Sequence, residues 1–176
     1  MNNSADFVLK HSGYFVKAIA SQDADILQPL YEQCREFFIL ADGVEPAPTA
    51  ARDEFDDVPD GKTPEDVYSF GLFDVQNTLL GAIVGVRDYP DRQTWWIGLM
   101  MLAPEYRSRG LGSDFYKAFE NWVSARGVCR ISLVVIAANE LGLRFWAKMG
   151  FEVEREIPSR QYKAKTHDVY VLSRSI

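Results

Sequence analysis

The 176-residue sequence predicts a mixed α/β (α+β) fold: one domain with a mostly antiparallel central sheet, one parallel strand pair and flanking helices. Three observations lead there. Apolar runs at Val67–Val75 and Leu79–Val86 are joined by a tight polar turn, which marks a hairpin. Trp95–Leu102 and Ile131–Ala137 are almost continuously apolar, as in strands covered on both faces. An amphipathic helical stretch separates those two runs, so they read as a parallel pair joined by a right-handed crossover.

In chain order, Tyr14 to Ile19 form a first strand. Ser21 and Asp23 supply helix-start chemistry for a helix running to about Leu40, and Pro29 must lie in its early turns or kink it. Leu30, Cys34, Phe37 and Phe38 make an apolar stripe at helical spacing, the face of a core helix. Ala41 to Pro48 is a loop, and Thr49 caps a short acidic helix ending near Asp57. The acidic stretch Asp53 to Asp66 reads as a solvated surface segment, although it could also shape a cleft. The hairpin turns at Gln76 and Asn77, and RDYPDRQ leads as a second hairpin into Thr94–Leu102. The next helix puts Leu111, Phe115, Phe119 and Trp122 on one side, leaves Lys117 and Glu120 outside, and stops at Gly127. Asn139 starts a final helix that Gly150 ends. Phe151–Ile157 and Val169–Ser173 close the sheet around a polar loop.

Thr94 to Ser113 is the stretch that carries chemistry. Pro104 halts the strand because it has no N–H to give. Arg107 to Gly112 then read R-x-x-G-x-G, with a helix behind them. Glycines at a helix N-terminus let backbone N–H groups close around an anion, and the helix dipole favours its charge. Arg107 and Arg109 add positive charge, so the stretch reads as a site for a phosphate-bearing ligand. It is neither a P-loop nor a dinucleotide fingerprint, since G-x-x-x-x-G-K-[ST] and G-x-G-x-x-G are absent. A bare tight turn would explain the glycines but not the arginines.

Composition narrows the partners. A net charge of −6 argues against nucleic acid, whose backbone demands a basic face. No run of 18 apolar residues and no signal peptide is evident, so a cytoplasmic protein without a membrane partner is expected. Cys34 and Cys129 read as small buried hydrophobes rather than a disulfide. His11 and His167 are isolated, and no metal-ligand spacing occurs.

Two motifs together resemble the GNAT N-acetyltransferase superfamily: Met100 to Gly112, and the segment containing Asn139, Gly142, Phe145, Trp146, Lys148, Gly150 and Phe151. The resemblance implies acetyl-coenzyme A as cosubstrate and a pair of parallel strands that splay. It implies that the backbone amides of Arg107, Ser108, Arg109, Gly110, Leu111, Gly112 and Ser113 hold the pyrophosphate. Main-chain groups of Met100, Met101 and Leu102 would pair with the pantetheine arm, Asn139 would hydrogen-bond it and Phe145 would pack on it. Lys148 is either a phosphate contact or a solvated helix residue.

The implied reaction is direct attack of a neutral amine on a thioester. A backbone N–H near Met101 is the expected oxyanion donor, worth roughly 3 kcal/mol. Trp146 stands where the family usually has a tyrosine acid, and an indole cannot release its proton. With a thiol pKa near ~8.5, departure without an acid at pH 7 forgoes only about 2 kcal/mol. A core tryptophan packed under the cofactor is the equal alternative. Some family members carry a glutamate on this strand where Trp96 stands. Taking the neutral form of a lysine-like amine costs roughly 4.6 kcal/mol at pH 7 against about 1 kcal/mol for an α-amine with pKa ~7.7, so the missing carboxylate leans toward a low-pKa amine or a base supplied elsewhere. Glu36, Asp42, Glu45, Asp88 and Tyr89 are the candidates, with Glu36 and Asp88 foremost. One face of the Trp95–Trp96 pair would line the acceptor cleft and suit a cationic amine. The expected acceptor is a small primary amine, with homodimerisation left open. A protein or peptide amine is the second enzymatic reading, and a non-catalytic coenzyme A-binding regulatory domain the third. Trp146→Tyr is expected to keep or raise kcat; a loss of several orders of magnitude would assign Trp146 another role.

Overall fold

The protein is described by a computed structural model covering residues 7, 9 and 13–176. Its strands are β1 (Tyr14–Ile19), β2 (Val67–Asp74), β3 (Leu79–Arg87), β4 (Thr94–Leu102), β5 (Arg130–Ile136), β6 (Glu152–Tyr162) and β7 (Lys165–Ser175). Its α-helices are α1 (Gln28–Gln33), α2 (Arg35–Asp42), α3 (Ala50–Asp56), α4 (Leu111–Ser124) and α5 (Glu140–Lys148). The strands form one seven-stranded sheet in the order β1-β2-β3-β4-β5-β7-β6. Only β4 and β5 are parallel; every other neighbouring pair is antiparallel.

Each face of the sheet buries a core. On one face, Phe115, Phe119 and Val123 of α4 and Trp146 of α5 meet Phe70, Leu72, Trp95 and Ile97. On the other, Leu27, Leu30, Tyr31, Phe38 and Phe55 from the N-terminal helices meet Phe73, Val84, Leu99 and Met101. Fully burying one such side chain contributes about 1.5–3 kcal/mol. That double coverage is why β3 and β4 lack polar alternation in the sequence.

The expected first helix is broken in two places. Ser21–Leu27 is a 3₁₀ turn, α1 begins with Pro29 in its first turn, and Cys34 separates α1 from α2. Proline fits there because the early N–H groups of a helix have no intrahelical partner. Cys129 is exposed rather than buried, whereas Cys34 is buried. Glu120 is not simply outside: it accepts from the Tyr116 hydroxyl at 2.6 Å and lies 3.3 Å from Arg174. The polar loop expected between the last two strands is instead strand, since β6 and β7 pair out to Tyr162↔Lys165. Charged residues along β6 blunt it as an exposed sheet edge, which removes the apolar period a sequence reading needs.

The tip of that hairpin caps α2. The last four carbonyls of a helix lack intrahelical partners, and here all four are met. Lys165 Nζ donates to Ile39 O at 2.9 Å and Leu40 O at 3.2 Å. His167 Nε2 is 2.9 Å from Ala41 O, and the Ala164 amide donates to Asp42 O at 3.0 Å. Lys163 adds an ion pair to Asp42 at 2.8 Å, cations suiting a helix C-terminus. Gly43 ends α2 with φ 78°, and a Cβ there would press on Ala164 and Lys165 at 3.2 and 3.1 Å.

β3 and β4 approach so closely at Gly85 that a Cβ would lie 2.4 Å from Trp96 O and 2.5 Å from Trp95 Nε1. Gly85→Ala is therefore expected to destabilise the protein by about 2–3 kcal/mol in urea unfolding, with an unaltered midpoint counting against this packing.

Candidate active site

The glycine turn after β4 is open. Gly110 is the N-cap of α4 at φ 85°, and a Cβ built there would meet nothing within 4 Å. Gly112 lies inside the first turn of α4, which begins at Leu111, and a Cβ there would be 3.6 Å from Phe145 Cε2. The first intrahelical bond there runs from Asp114 N to Gly110 O at 3.1 Å, so the amides just before it face outward with the dipole. Ser108 holds φ 61°, and Arg109 is exposed beside the turn. Arg107 is used differently from expectation. Its amide donates to Pro104 O at 3.2 Å, and its side chain turns back to Leu102 O at 2.7 Å, Glu36 at 2.6 Å and Cys34 Sγ at 3.3 Å.

A gap opens beside the turn. β4 and β5 pair only from Thr94↔Arg130 to Ile97↔Leu133, so Gly98 to Leu102 have no β5 partner. The β3–β4 register shifts between Val84↔Leu99 and Gly85↔Ile97, leaving Gly98 as the extra residue of a bulge. The bulge reverses the strand's faces: Trp95 and Ile97 before it join the α4 core, and Leu99 and Met101 after it join the opposite one. Ala103 N donates to Leu80 O at 2.8 Å, and alternation along the antiparallel ladder then turns Met101 to β3. The N–H and C=O of Met100 and the N–H of Leu102 face the gap, Leu102 O being held by Arg107, which corrects the expectation for Met101; the bulge upstream and Pro104 downstream set that phase.

The gap continues into a cleft of about 560 Å³. Trp96 and Tyr89, ring centroids 5.7 Å apart and edge-on, line it with Glu54, Asp57, Phe37, Ala41 and Gly98. From the α5 side Asn139 and Trp146 reach it. Asn139 caps α5, its Oδ1 accepting from Gly142 N at 2.9 Å. Trp146 is buried edge-on against Phe145, Phe151 and Tyr116 at 4.9, 5.0 and 5.4 Å. On the far side, the α2 C-terminus and the β6–β7 tip meet and form one wall of the cleft. Lys148 lies outside it, in a separate depression with Arg130 and Arg174.

A family model for acetyltransferases of the GNAT family matches residues 26–151. The chain belongs to the GNAT acetyltransferase family. It is an acetyl-CoA-dependent N-acetyltransferase of that family's mixed α/β fold. Three solved structures share the fold at low identity. An acetyltransferase from Thermus thermophilus is 21% identical, with 93% of this chain and 97% of that one covered and a TM-score of 0.70. A ribosomal-protein-S5-alanine acetyltransferase from Vibrio fischeri is 18% identical, covering 98% and 97%, at 0.74. RimL, a ribosomal L7/L12 alpha-N-protein acetyltransferase in complex with coenzyme A, is 14% identical, covering 97% and 98%, at 0.75.

Within this GNAT acetyltransferase Tyr89 lines the cleft, while the four carboxylates expected as bases have partners elsewhere. Glu36 is paired to Arg107 at 2.6 Å, and Asp88 accepts from Gln93 N at 2.7 Å to shape the β3–β4 turn, where its own φ is 54°. Asp42 is held by Lys163 at 2.8 Å and Glu45 lies 4.0 Å from Arg35. The sequence reading passed over Glu54. It is half-buried in the cleft, its Oε1 3.6 Å from where a Gly98 Cβ would stand, and it accepts no side-chain hydrogen bond among the described residues. Burial, then Asp57 and Asp42, push its carboxyl up to about 7, with Lys163 opposing. Tyr31, whose buried hydroxyl has no partner, is raised by its own burial and then by Glu54. Elsewhere in the described residues no group of three or more His, Cys, Asp or Glu could hold a metal, and no helix is long and apolar enough to cross a membrane. His11 lies outside the described residues.

The raised carboxyl couples to stability. The folded protein holds this proton more tightly than the unfolded chain, so the contribution is full below the ordinary value of 4.5 and is lost as pH rises through about 7. Relative to Glu54→Gln, the wild type is expected to lose up to about 3 kcal/mol between pH 4.5 and 7 in urea unfolding; parallel pH curves would contradict the buried carboxyl.

Proposed function

We propose that the chain transfers an acetyl group from acetyl-CoA to the primary amine of a small molecule. The observation that carries the acceptor class is the aromatic and acidic lining of the cleft beside the β4–β5 gap. Gap and cleft together hold about 560 Å³, within the range of small-molecule sites. Trp96 and Tyr89 offer aromatic surface, and Glu54 and Asp57 offer negative charge, which together favour a cationic amine.

The cosubstrate supplies an activated acetyl thioester. The open amides from Ser108 to Ser113, the left-handed Gly110 and the exposed Arg109 suit its diphosphate, and nothing fills the space a Gly110 side chain would occupy. The β4 edge beyond Gly98 suits its pantetheine arm, which the main chain of Met100 and the N–H of Leu102 would bind as an added strand. The Met100 N–H, facing the gap next to the bulge, is the donor for the acetyl oxygen, worth roughly 3 kcal/mol. Asn139 keeps its amide N–H₂ available while its oxygen caps α5. Phe145 and Trp146 supply packing beneath the arm. Arg107 stiffens the turn from behind, tying the end of β4 to the α1–α2 junction.

The screen is thiol release from acetyl-CoA with spermidine, tyramine, lysine methyl ester and a decapeptide with an N-terminal alanine. Turnover of one or more of the small amines at over tenfold the kcat/KM of the peptide is expected, and the reverse ranking would move the acceptor to proteins. By calorimetry, Arg109→Ala is expected to weaken acetyl-CoA binding about five- to tenfold, the loss of one charge-assisted phosphate contact.

A further inference from the structure

We propose that Glu54, reaching from α3 over the side-chain-free Gly98, is the general base that takes the proton from the acceptor amine. This rests on the acetyl-transfer reaction and on no particular acceptor.

The geometry is complementary. β4 carries no carboxylate of its own along the cleft: the strand lines it from Trp96 to Met100, and none of these residues can accept a proton. The bulge turns Gly98 toward α3, and its missing side chain leaves a window through which Glu54 Oε1 stands 3.6 Å from the Cβ position. The same bulge sets the phase that points the Met100 N–H into the neighbouring gap. Base and oxyanion donor are thus brought together around one irregularity of one strand.

Glu54 is also unoccupied by structure. Arg52 on the same helix is turned away to Asp25 at 2.8 Å, and Thr49 bonds Asp53 at 3.0 Å. The groups facing Glu54 are Tyr31 of α1, Asp42 of α2, Asp57 beyond α3 and Lys163 of the hairpin tip. Lys163 is the cation of the set and is engaged by Asp42 at 2.8 Å. A carboxyl near 7 in this company accepts a proton readily, and an arriving ammonium supplies the counter-charge that keeps it ionised until transfer.

The protons balance as follows. The acceptor arrives as an ammonium and gives one proton to Glu54. Its freed lone pair forms the C–N bond to the acetyl carbon. As the C–S bond breaks, a second nitrogen proton leaves with the sulfur as thiol, and Glu54 returns its proton to water. Ammonium and thioester become amide, thiol and one released proton.

The test has two arms. In the ligand-free protein, a carbon-13 NMR titration of the Glu54 carboxyl, assigned by its absence in Glu54→Gln, should show a midpoint near 7; a midpoint near 4.5 would overturn the proposal. In kinetics, with the fastest substrate of the small-amine and peptide screen, Glu54→Gln should lower kcat/KM at pH 7 by about 10²–10³-fold while leaving acetyl-CoA affinity intact by calorimetry. The deficit should shrink about tenfold per pH unit as the amine loses its own proton in solution. Gly98→Val, which fills the window without touching the carboxylate's chemistry, should reproduce the kcat/KM loss with the NMR midpoint still above 6. A Glu54→Gln enzyme within threefold of wild type at pH 7, or one keeping the same acidic limb, would overturn the assignment. Turnover of the peptide alone would sink the small-acceptor reading and leave this one to be judged on the peptide's own pH profile.

Discussion

The architecture depends on one extra residue in β4. Without the bulge at Gly98, Trp95, Ile97, Leu99 and Met101 would all point to one face, and one of the two cores would lose its contribution from the central strand. With it, the strand feeds the α4 core first and the opposite core afterwards. Just there β4 parts from β5, because the pairing ends at Ile97↔Leu133. A sheet that kept its ladder would have no unpaired N–H or C=O in its middle. The site is therefore an interruption of hydrogen bonding, placed where both neighbouring elements are held firmly by buried aromatics.

A second constraint works across the molecule. Arg107 ties the end of β4 to α1 and α2, and the β6–β7 tip ties β7 to the other end of α2. α2 is therefore gripped at both ends, by Arg107 of the glycine turn and by the hairpin. Burial pushes the Cys34 thiol up, and the nearby Arg107 only partly counters it, so at that junction the cysteine acts as packing rather than as a nucleophile.

Much of this was legible in the sequence, for local reasons. R-x-x-G-x-G behind an apolar run can form little except a turn into a helix, and Asn139 with Gly142 reads as a cap in any context. The two buried strands betrayed themselves by lacking polar alternation, and the Trp95–Trp96 pair does divide between core and cleft. What escaped the reading was set by distant partners. Glu36 and Asp88 looked available until Arg107 and the Gln93 amide claimed them. Glu54 looked like surface on an acidic helix, because its meaning comes from a glycine 44 positions later. Met101 was misassigned because a bulge shifts the phase of a strand without leaving a mark in composition. The outer half of β6 and β7 was read as loop because an edge ladder with charged residues has no apolar rhythm.

The capping of α2 by the hairpin also bears on biosynthesis. Lys165 and Ile39 are 126 positions apart, as are His167 and Ala41. On the ribosome, the strand-turn-helix half that suits the nucleotide is synthesised whole well before β7 emerges to cap α2. The wall of the cleft that α2 and the hairpin form is therefore finished only when the sheet itself is complete.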